Sequence, residues 1–217
     1  LKREQFESSS DLLKKLAAQY PKSPLLEEAS WLQAYSLHKA GRFKDSFTHC
    51  QTFMKDYPKS KKAGEVFFLM AENSFLREEY KKAEGLYKTF ASTYQDHFYK
   101  SSAEFRIAQT HYRRKNWAKA LDVFGQLANT KKNTDSSFFN QLLYLQGDCC
   151  FNQRKWKEAI EFFGSFIKKH SDESNVDAAA YKLASAWENA GERKTAIQSF
   201  KSFVGTYGKS SYLPHAY

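Results

Sequence analysis

Three cysteines in 217 residues are too few for a disulfide framework. Cys149 and Cys150 are adjacent on one helix and point different ways, so they are not expected to bridge. Cys50 takes a core position, and all three read as buried thiols. No apolar run approaches the roughly 18–20 residues that span a bilayer, and the chain carries no signal-peptide or lipidation motif. His38, His49, His97, His111, His170 and His215 are scattered, and no Cys/His pair has zinc-ligand spacing. There is no CxxC pair and no glycine-rich phosphate loop. Glu27-Glu28 and Glu78-Glu79 read as exposed helix charge rather than as a catalytic dyad. These absences argue against an enzyme, and no cofactor or metal is expected.

What the chain has instead is self-similarity. Phe6, Phe43, Tyr80, Trp117, Trp156 and Arg193 are separated by 37, 37, 37, 39 and 37 residues. Three residues after each stands a small side chain: Ser9, Ser46, Ala83, Ala120, Ala159, Ala196. Four and seven residues further on come apolar ones, such as Cys50 and Phe53, Tyr87 and Phe90, Phe163 and Phe166. Those steps return to one face of a helix, here termed helix B. Twelve residues before each small residue, from the second repeat on, stands another: Ala34, Ala71, Ala108, Gly147, Ala184. An aromatic precedes each by three: Trp31, Phe68, Phe105, Tyr144, Tyr181. This is helix A. The small residues let paired backbones approach, and a bulky side chain there would overpack at a cost of about 1–3 kcal/mol. Gly41 and Gly191 fall in the A–B turns, where a left-handed helix stop is expected. Tyr20-Pro21-Lys22-Ser23 and Tyr57-Pro58-Lys59-Ser60 read as stops for helix B, with the serine placed to cap the next helix A.

A period of this size means a solenoid rather than one closed core. The expected units are residues 1–22, 23–59, 60–96, 97–133, 134–172 and 173–209, with another starting at 210–217, in a single array of about eleven full helices. Both ends look cut. Leu1 precedes a helix B that has no helix A, and Tyr217 falls where the next helix A should start. The chain is therefore expected to be part of a longer protein, with any export signal, anchor or further domain outside it. The segment Asn129–Ser137 is polar, lacks the Tyr-Pro stop and accounts for the two extra residues of the 39-residue gap. It reads as a long loop, and a bend dividing 1–130 from 136–217 is the sharper expectation.

The paired small residues, each with an aromatic before the first, resemble the tetratricopeptide repeat (TPR) family over essentially the whole chain. The resemblance implies an all-α solenoid, a right-handed superhelix of antiparallel helix pairs that acts as a non-enzymatic scaffold for protein partners. The 37-residue period and the Tyr-Pro-Lys-Ser ends resemble bacterial envelope members: the TPR protein of the Tol–Pal system and the TPR lipoprotein of the outer-membrane barrel-assembly machinery. That implies partners in outer-membrane assembly or cell division and a periplasmic or outer-membrane-associated setting. The alternatives are a structural unit that self-associates through its ends, or a basic surface that binds anionic partners.

In this family the A helices line a concave groove that holds a peptide. By resemblance the groove carries the column Trp31, Phe68, Phe105, Tyr144, Tyr181, although the same column also reads as packing between neighbouring A helices. The next turns bring Tyr35, Glu72, Gln109, Asp148 and Ser185, then His38, Phe75, Tyr112, Phe151 and Glu188. The candidate peptide-binding residues are Tyr35, His38, Gln109, Tyr112, Asp148 and Asn152, with Arg113 at the rim and Phe105 and Tyr144 from the first column. Chaperone-tail relatives clamp a terminal carboxylate with Lys and Asn. Here the equivalent places hold Trp31, Tyr35, Leu69 and Ser102, and only Arg106 matches in kind, so that clamp is not expected. His111, three residues after Ala108, reads as a hydrogen-bonded histidine between helices, or else a pH-sensitive hinge. The net charge of +10 has two readings: an acidic partner, or a solvated surface with cations at helix C-termini. No nucleic-acid module is visible, so a protein or peptide partner is expected. Contact with a membrane would come only through regions outside this chain.

Overall fold

The computed structural model describes residues 2–130 and 138–216. Among them are eleven α-helices and no strand. In chain order these are α1 (Lys2–Gln19), α2 (Leu26–Lys39), α3 (Phe43–Asp56), α4 (Ala63–Leu76), α5 (Tyr80–Thr93), α6 (Lys100–Arg113), α7 (Trp117–Ala128), α8 (Phe138–Asn152), α9 (Trp156–Lys169), α10 (Val176–Asn189) and α11 (Arg193–Thr206). A single 3₁₀ turn follows at Leu213–His215. The first residues of α3, α5, α7, α9 and α11 are Phe43, Tyr80, Trp117, Trp156 and Arg193, the positions that define the repeat. Only α1 departs, starting four residues before Phe6. Arg3 accounts for the extension: its Nε donates to the Ala40 carbonyl at 2.6 Å, at the end of α2 where the helix dipole favours a cation.

Helix B stops at the same register with or without proline. Tyr57, Tyr94, His170 and Tyr207 each donate their backbone N–H to a phenylalanine carbonyl four residues back: Phe53, Phe90, Phe166 and Phe203. Each ring then packs on that phenylalanine, with centroids 5.1, 5.2, 5.5 and 5.6 Å apart. A ring pair thus marks four of these ends, while at the first Tyr20 donates to the Leu16 carbonyl with no such partner ring, and Pro21 and Pro58 occupy a turn position that needs no N–H. Two overlapping turns carry the chain onward, Ser60 N–H to the Tyr57 carbonyl and Ala63 N–H to the Ser60 carbonyl, and the pattern recurs at 20–26, 94–100, 170–176 and 207–213. The expected serine caps take another form. The residues entering α2 and α4 are Leu25 and Lys62, and neither makes a side-chain cap. Ser60 Oγ instead accepts from Lys62 N–H at 2.9 Å and donates to Glu27 of the previous repeat at 2.6 Å. Ser210 repeats the arrangement with Tyr212 and Asp177. In the fourth repeat His97 takes the serine's place, accepting from Tyr99 N–H, and the residue facing it is Gly64. A Cβ on Gly64 would lie 2.7 Å from the His97 ring.

The A–B turn places one residue in the left-handed region in all five repeats: Gly41 and Gly191, but also Glu78, Lys115 and Arg154. The following N–H closes the helix end, as from Arg42 to the Leu37 carbonyl and from Glu79 to the Ser74 carbonyl. Glycine is thus one solution among several to a backbone requirement.

The chain divides into two compact units, Leu1–Arg114 and Lys115–Tyr217. The boundary falls before α7, not at the polar segment. Helix α7 packs on α8, and its Leu121 joins the cluster formed by Cys150, Ala159 and Phe163, so both flanks of that segment belong to one unit. The segment itself lies, from residue 131 to 137, outside the described residues.

Within each unit the small residues from Ala34 onward are buried, Ser9 being half-buried, and two of them have a further reason. Ser46 Oγ donates to the Ala34 carbonyl at 2.7 Å and accepts from Asn73 Nδ2 at 2.8 Å. Gly147 leaves room for Phe163, whose ring would be 2.8 Å from a Cβ there.

Candidate protein-binding face of the A helices

The first aromatic column packs repeats together. Phe105 is buried. Phe68 stacks on Tyr99 at the entry to the next A helix, centroids 4.5 Å apart and planes 18° from parallel, and it meets Phe90 edge-on. Tyr181 does the same with Tyr212 and Phe203. Tyr144 packs on Phe163 and Phe166. Of the two readings of this column, packing describes its contacts.

One turn further on, unpaired spacing in the sequence becomes ion pairing in the fold. In the first unit, Glu72 on α4 receives both arms of the Arg106 guanidinium from α6, at 2.8 and 2.7 Å. Tyr87 donates to the same carboxylate from α5. Arg106 also donates to Gln109 at 2.8 Å and lies 4.9 Å over the Phe75 ring. Burial, then the Glu72 charge, push the Tyr87 phenol well above its ordinary range. In the second unit Asp148 on α8 meets Lys182 on α10. Lys182 also donates to the Tyr144 hydroxyl at 3.2 Å and lies 5.2 Å from its ring centroid. Burial would lower the Lys182 pKa, but Asp148 and Tyr144 outweigh it and raise the value. Both nodes join an acid on one A helix to a base 34 residues later on the next, and the two are 76 residues apart. From the sequence Arg106 enters only as a partial match to the carboxylate clamp, Tyr87 only as a core position of helix B and Lys182 not at all, although this doubled acid–base spacing is present there.

The remaining candidates sit as follows. Tyr35 is exposed, 5.8 Å from the Trp31 ring, with the Lys39 ammonium 5.2 Å from its own centroid. His38 is half-buried; its Nδ1 bonds the Asn73 amide oxygen at 2.9 Å, and its ring meets Phe43 edge-on. Burial lowers its pKa, against the opposing pull of Asn73 and Glu72. Gln109 and Tyr112 are half-buried on α6, and Arg113 is exposed at its end. Asn152 is exposed and donates back to the Asp148 carbonyl at 2.8 Å. Tyr35, His38, Phe105, Gln109, Tyr112 and Arg113 thus belong to the first unit, and Tyr144, Asp148 and Asn152 to the second. His111 is buried between helices with its Nε2 3.5 Å from Glu84. Burial works against the Glu84 carboxylate, yet Lys88, His111 and Arg114 together hold it below the usual range.

The face has no activated nucleophile among its cysteines. Burial pushes Cys50 and Cys149 up to about 12 and Cys150 to about 11, so all three stay protonated. Among the described residues no three His, Cys, Asp or Glu side chains converge on a metal site, and no helix is long and apolar enough to cross a membrane. Charge is unevenly shared between helix types. α4 carries Glu65 and Glu72 and no Lys or Arg; α11 carries Arg193, Lys194 and Lys201 and no acid.

Three family models match parts of the chain: an outer membrane lipoprotein (YfiO) over residues 1–97, subunit 3 of the anaphase-promoting complex or cyclosome over 88–166, and a tetratricopeptide repeat over 178–210. No curated protein sequence matches. Among solved structures, BtubC from P. vanneervenii superposes with a TM-score of 0.70 at 12% identity, over 96% of this chain and 92% of that one. The apo form of RapI reaches 0.80 at 12% identity, over 93% and 59%. YrrB, described as a TPR protein with an unusual peptide-binding site, reaches 0.67 at 11% identity, over 95% and 98%. At these identities the likeness is one of fold.

Proposed function

The chain is a tetratricopeptide-repeat protein, and from that premise we propose that it is a scaffold that recruits a protein segment onto the A-helix face of its first unit. One observation carries the reading. The acids of that face, Glu72 foremost, are satisfied across repeats, so what the face offers to solvent is aromatic and amide: Tyr35, Tyr112 and Gln109, with His38 beside them. Tyrosine buries a large area at low entropic cost and is enriched at binding hot spots. The exposed cations beside this face, Lys39 by the Tyr35 ring and Arg113 at the end of α6, stand at its margin, and in this reading the segment is recognised by aromatic anchoring rather than by negative charge. The match of residues 1–97 to an outer membrane lipoprotein supports a setting in bacterial envelope assembly.

Capture from a cell lysate, washed at low and high salt, tests the proposal. A discrete protein is expected to survive high salt on the native chain and to be lost from Tyr35→Ala/Tyr112→Ala of unchanged helicity. The loss should be tenfold or more, since an aromatic hot spot contributes about 2 kcal/mol. Retention only at low salt, equal for both baits, would assign binding to the basic residues of helices such as α5 and α11 and overturn the reading.

A further inference from the structure

At three handovers from helix B to the next helix A, a serine hydroxyl holds the turn. Ser23 Oγ accepts from the Leu25 N–H at 3.2 Å, Ser60 Oγ from Lys62 at 2.9 Å and Ser210 Oγ from Tyr212 at 3.2 Å. Between α5 and α6 the acceptor is His97 Nδ1, 3.1 Å from the Tyr99 backbone nitrogen. A hydroxyl accepts at any physiological pH, whereas an imidazole nitrogen accepts only while it carries no proton. The facing residue of the previous repeat differs too. Ser60 meets Glu27 and Ser210 meets Asp177, each 33 residues back, and the residue at that spacing from His97 is Gly64. A carboxylate that could hold a histidinium is thus missing from that position. There is no room to add one, since a Cβ on Gly64 would already lie 2.7 Å from the ring.

We propose that His97 is a pH-operated latch: neutral, it holds the entry to α6; protonated, it releases Tyr99 and loosens the seam between α4 and α6. The seam is affected because the Tyr99 ring stacks on Phe68 of α4, centroids 4.5 Å apart. The His97 ring is itself packed among Phe90, Phe98 and Tyr99, with centroids at 5.3, 4.5 and 5.4 Å. The titratable groups that face it are Glu65 from α4, Tyr94 at the end of α5, and Tyr99. Burial holds both phenols above their ordinary range, so they stay neutral while the imidazole titrates. Burial of the imidazole lowers its pKa from 6.5; Glu65 opposes this, but Glu65 is already paired with Lys62 at 3.4 Å. Protonation therefore costs more with the latch closed than with it open. The bond is fully present above 6.5 and is lost as pH falls through the lowered value.

Hydrogen exchange, read amide by amide by NMR on the 217-residue chain, tests this. Protection of the Tyr99 amide, corrected for intrinsic exchange, is expected to fall in acid by roughly tenfold for each unit by which closing lowers the imidazole pKa. The Lys62 amide, held by Ser60, is expected to keep its protection over the same range. His97→Ser restores the acceptor used at the other turns and should leave Tyr99 protected and level with pH. His97→Asn, whose amide oxygen accepts in the same kind of turn, supplies the same reading if circular dichroism shows that His97→Ser has lost helix. At neutral pH the ring nitrogen shifts of His97 should report the proton on Nε2. Level protection at Tyr99 in the native chain, an equal fall at Tyr99 and Lys62, an equal fall in the variants, or a neutral ring protonated on Nδ1 would each overturn the proposal.

Discussion

Ser46 shows how little a residue's size says about its work. It occupies the position filled by alanine in the four repeats that follow, so Ser46→Ala looks harmless by pattern. In the fold it joins the Ala34 carbonyl to the Asn73 amide, and Asn73 is fully buried and bonded in turn to His38. Removing the hydroxyl strands an amide hydrogen without water. Chemical denaturation should find Ser46→Ala less stable by about 1–3 kcal/mol, with most of the loss recovered in Ser46→Ala/Asn73→Ala. A neutral Ser46→Ala would mean that the amide finds another acceptor. Gly147 carries the same lesson in reverse. It departs from alanine because Phe163 occupies the space of a methyl group.

At the scale of the element, the sequence was legible where a position repeats and illegible where it does not. The starts of α3, α5, α7, α9 and α11 could be read to the residue, since apolar and small side chains recur in register there. Proline is conspicuous at two of helix B's stops, at Pro21 and Pro58, whereas the ring pair that recurs at four of them, such as Phe53 with Tyr57, looks like two ordinary core residues. Asp148 was placed on a surface by its charge, and it is buried because Lys182 from the next A helix neutralises it. Such pairs can be measured. Glu72→Gln and Arg106→Met should each destabilise by about 1–2 kcal/mol, discounted for the partial exposure of the arginine, while the double variant should lose less than the sum. Strict additivity would show that the pair contributes nothing to the seam between α4 and α6.

At the scale of the whole molecule, acid sensitivity is concentrated in the first unit. Burial lowers the pKa of His38, His49 and His97 below 6.5, and all three lie there. Between those lowered values and 6.5 the unfolded chain binds more protons than the folded one, so stability rises with pH across that window. It is fully present above 6.5 and is lost as pH falls through the folded values. Thermal scans should show a Tm that is level near pH 7.5 and declines below 6.5. His38→Gln, which can keep the bond to Asn73, should flatten part of the slope. An unchanged slope would remove His38 from the account.

The polar contacts between successive repeats also have a consequence for order. Every repeat presents the same arrangement of small and aromatic residues, so by that criterion any helix pair could follow any other. The joints are nonetheless keyed: Ser46 to Asn73, Gly64 to His97, Glu72 to Arg106 and Asp148 to Lys182 each fit one neighbour. A chain with its repeats shuffled would keep the general pattern and face each buried polar group with a stranger. The common pattern tells the polypeptide how to stack, and the keyed joints tell each repeat its place in the queue.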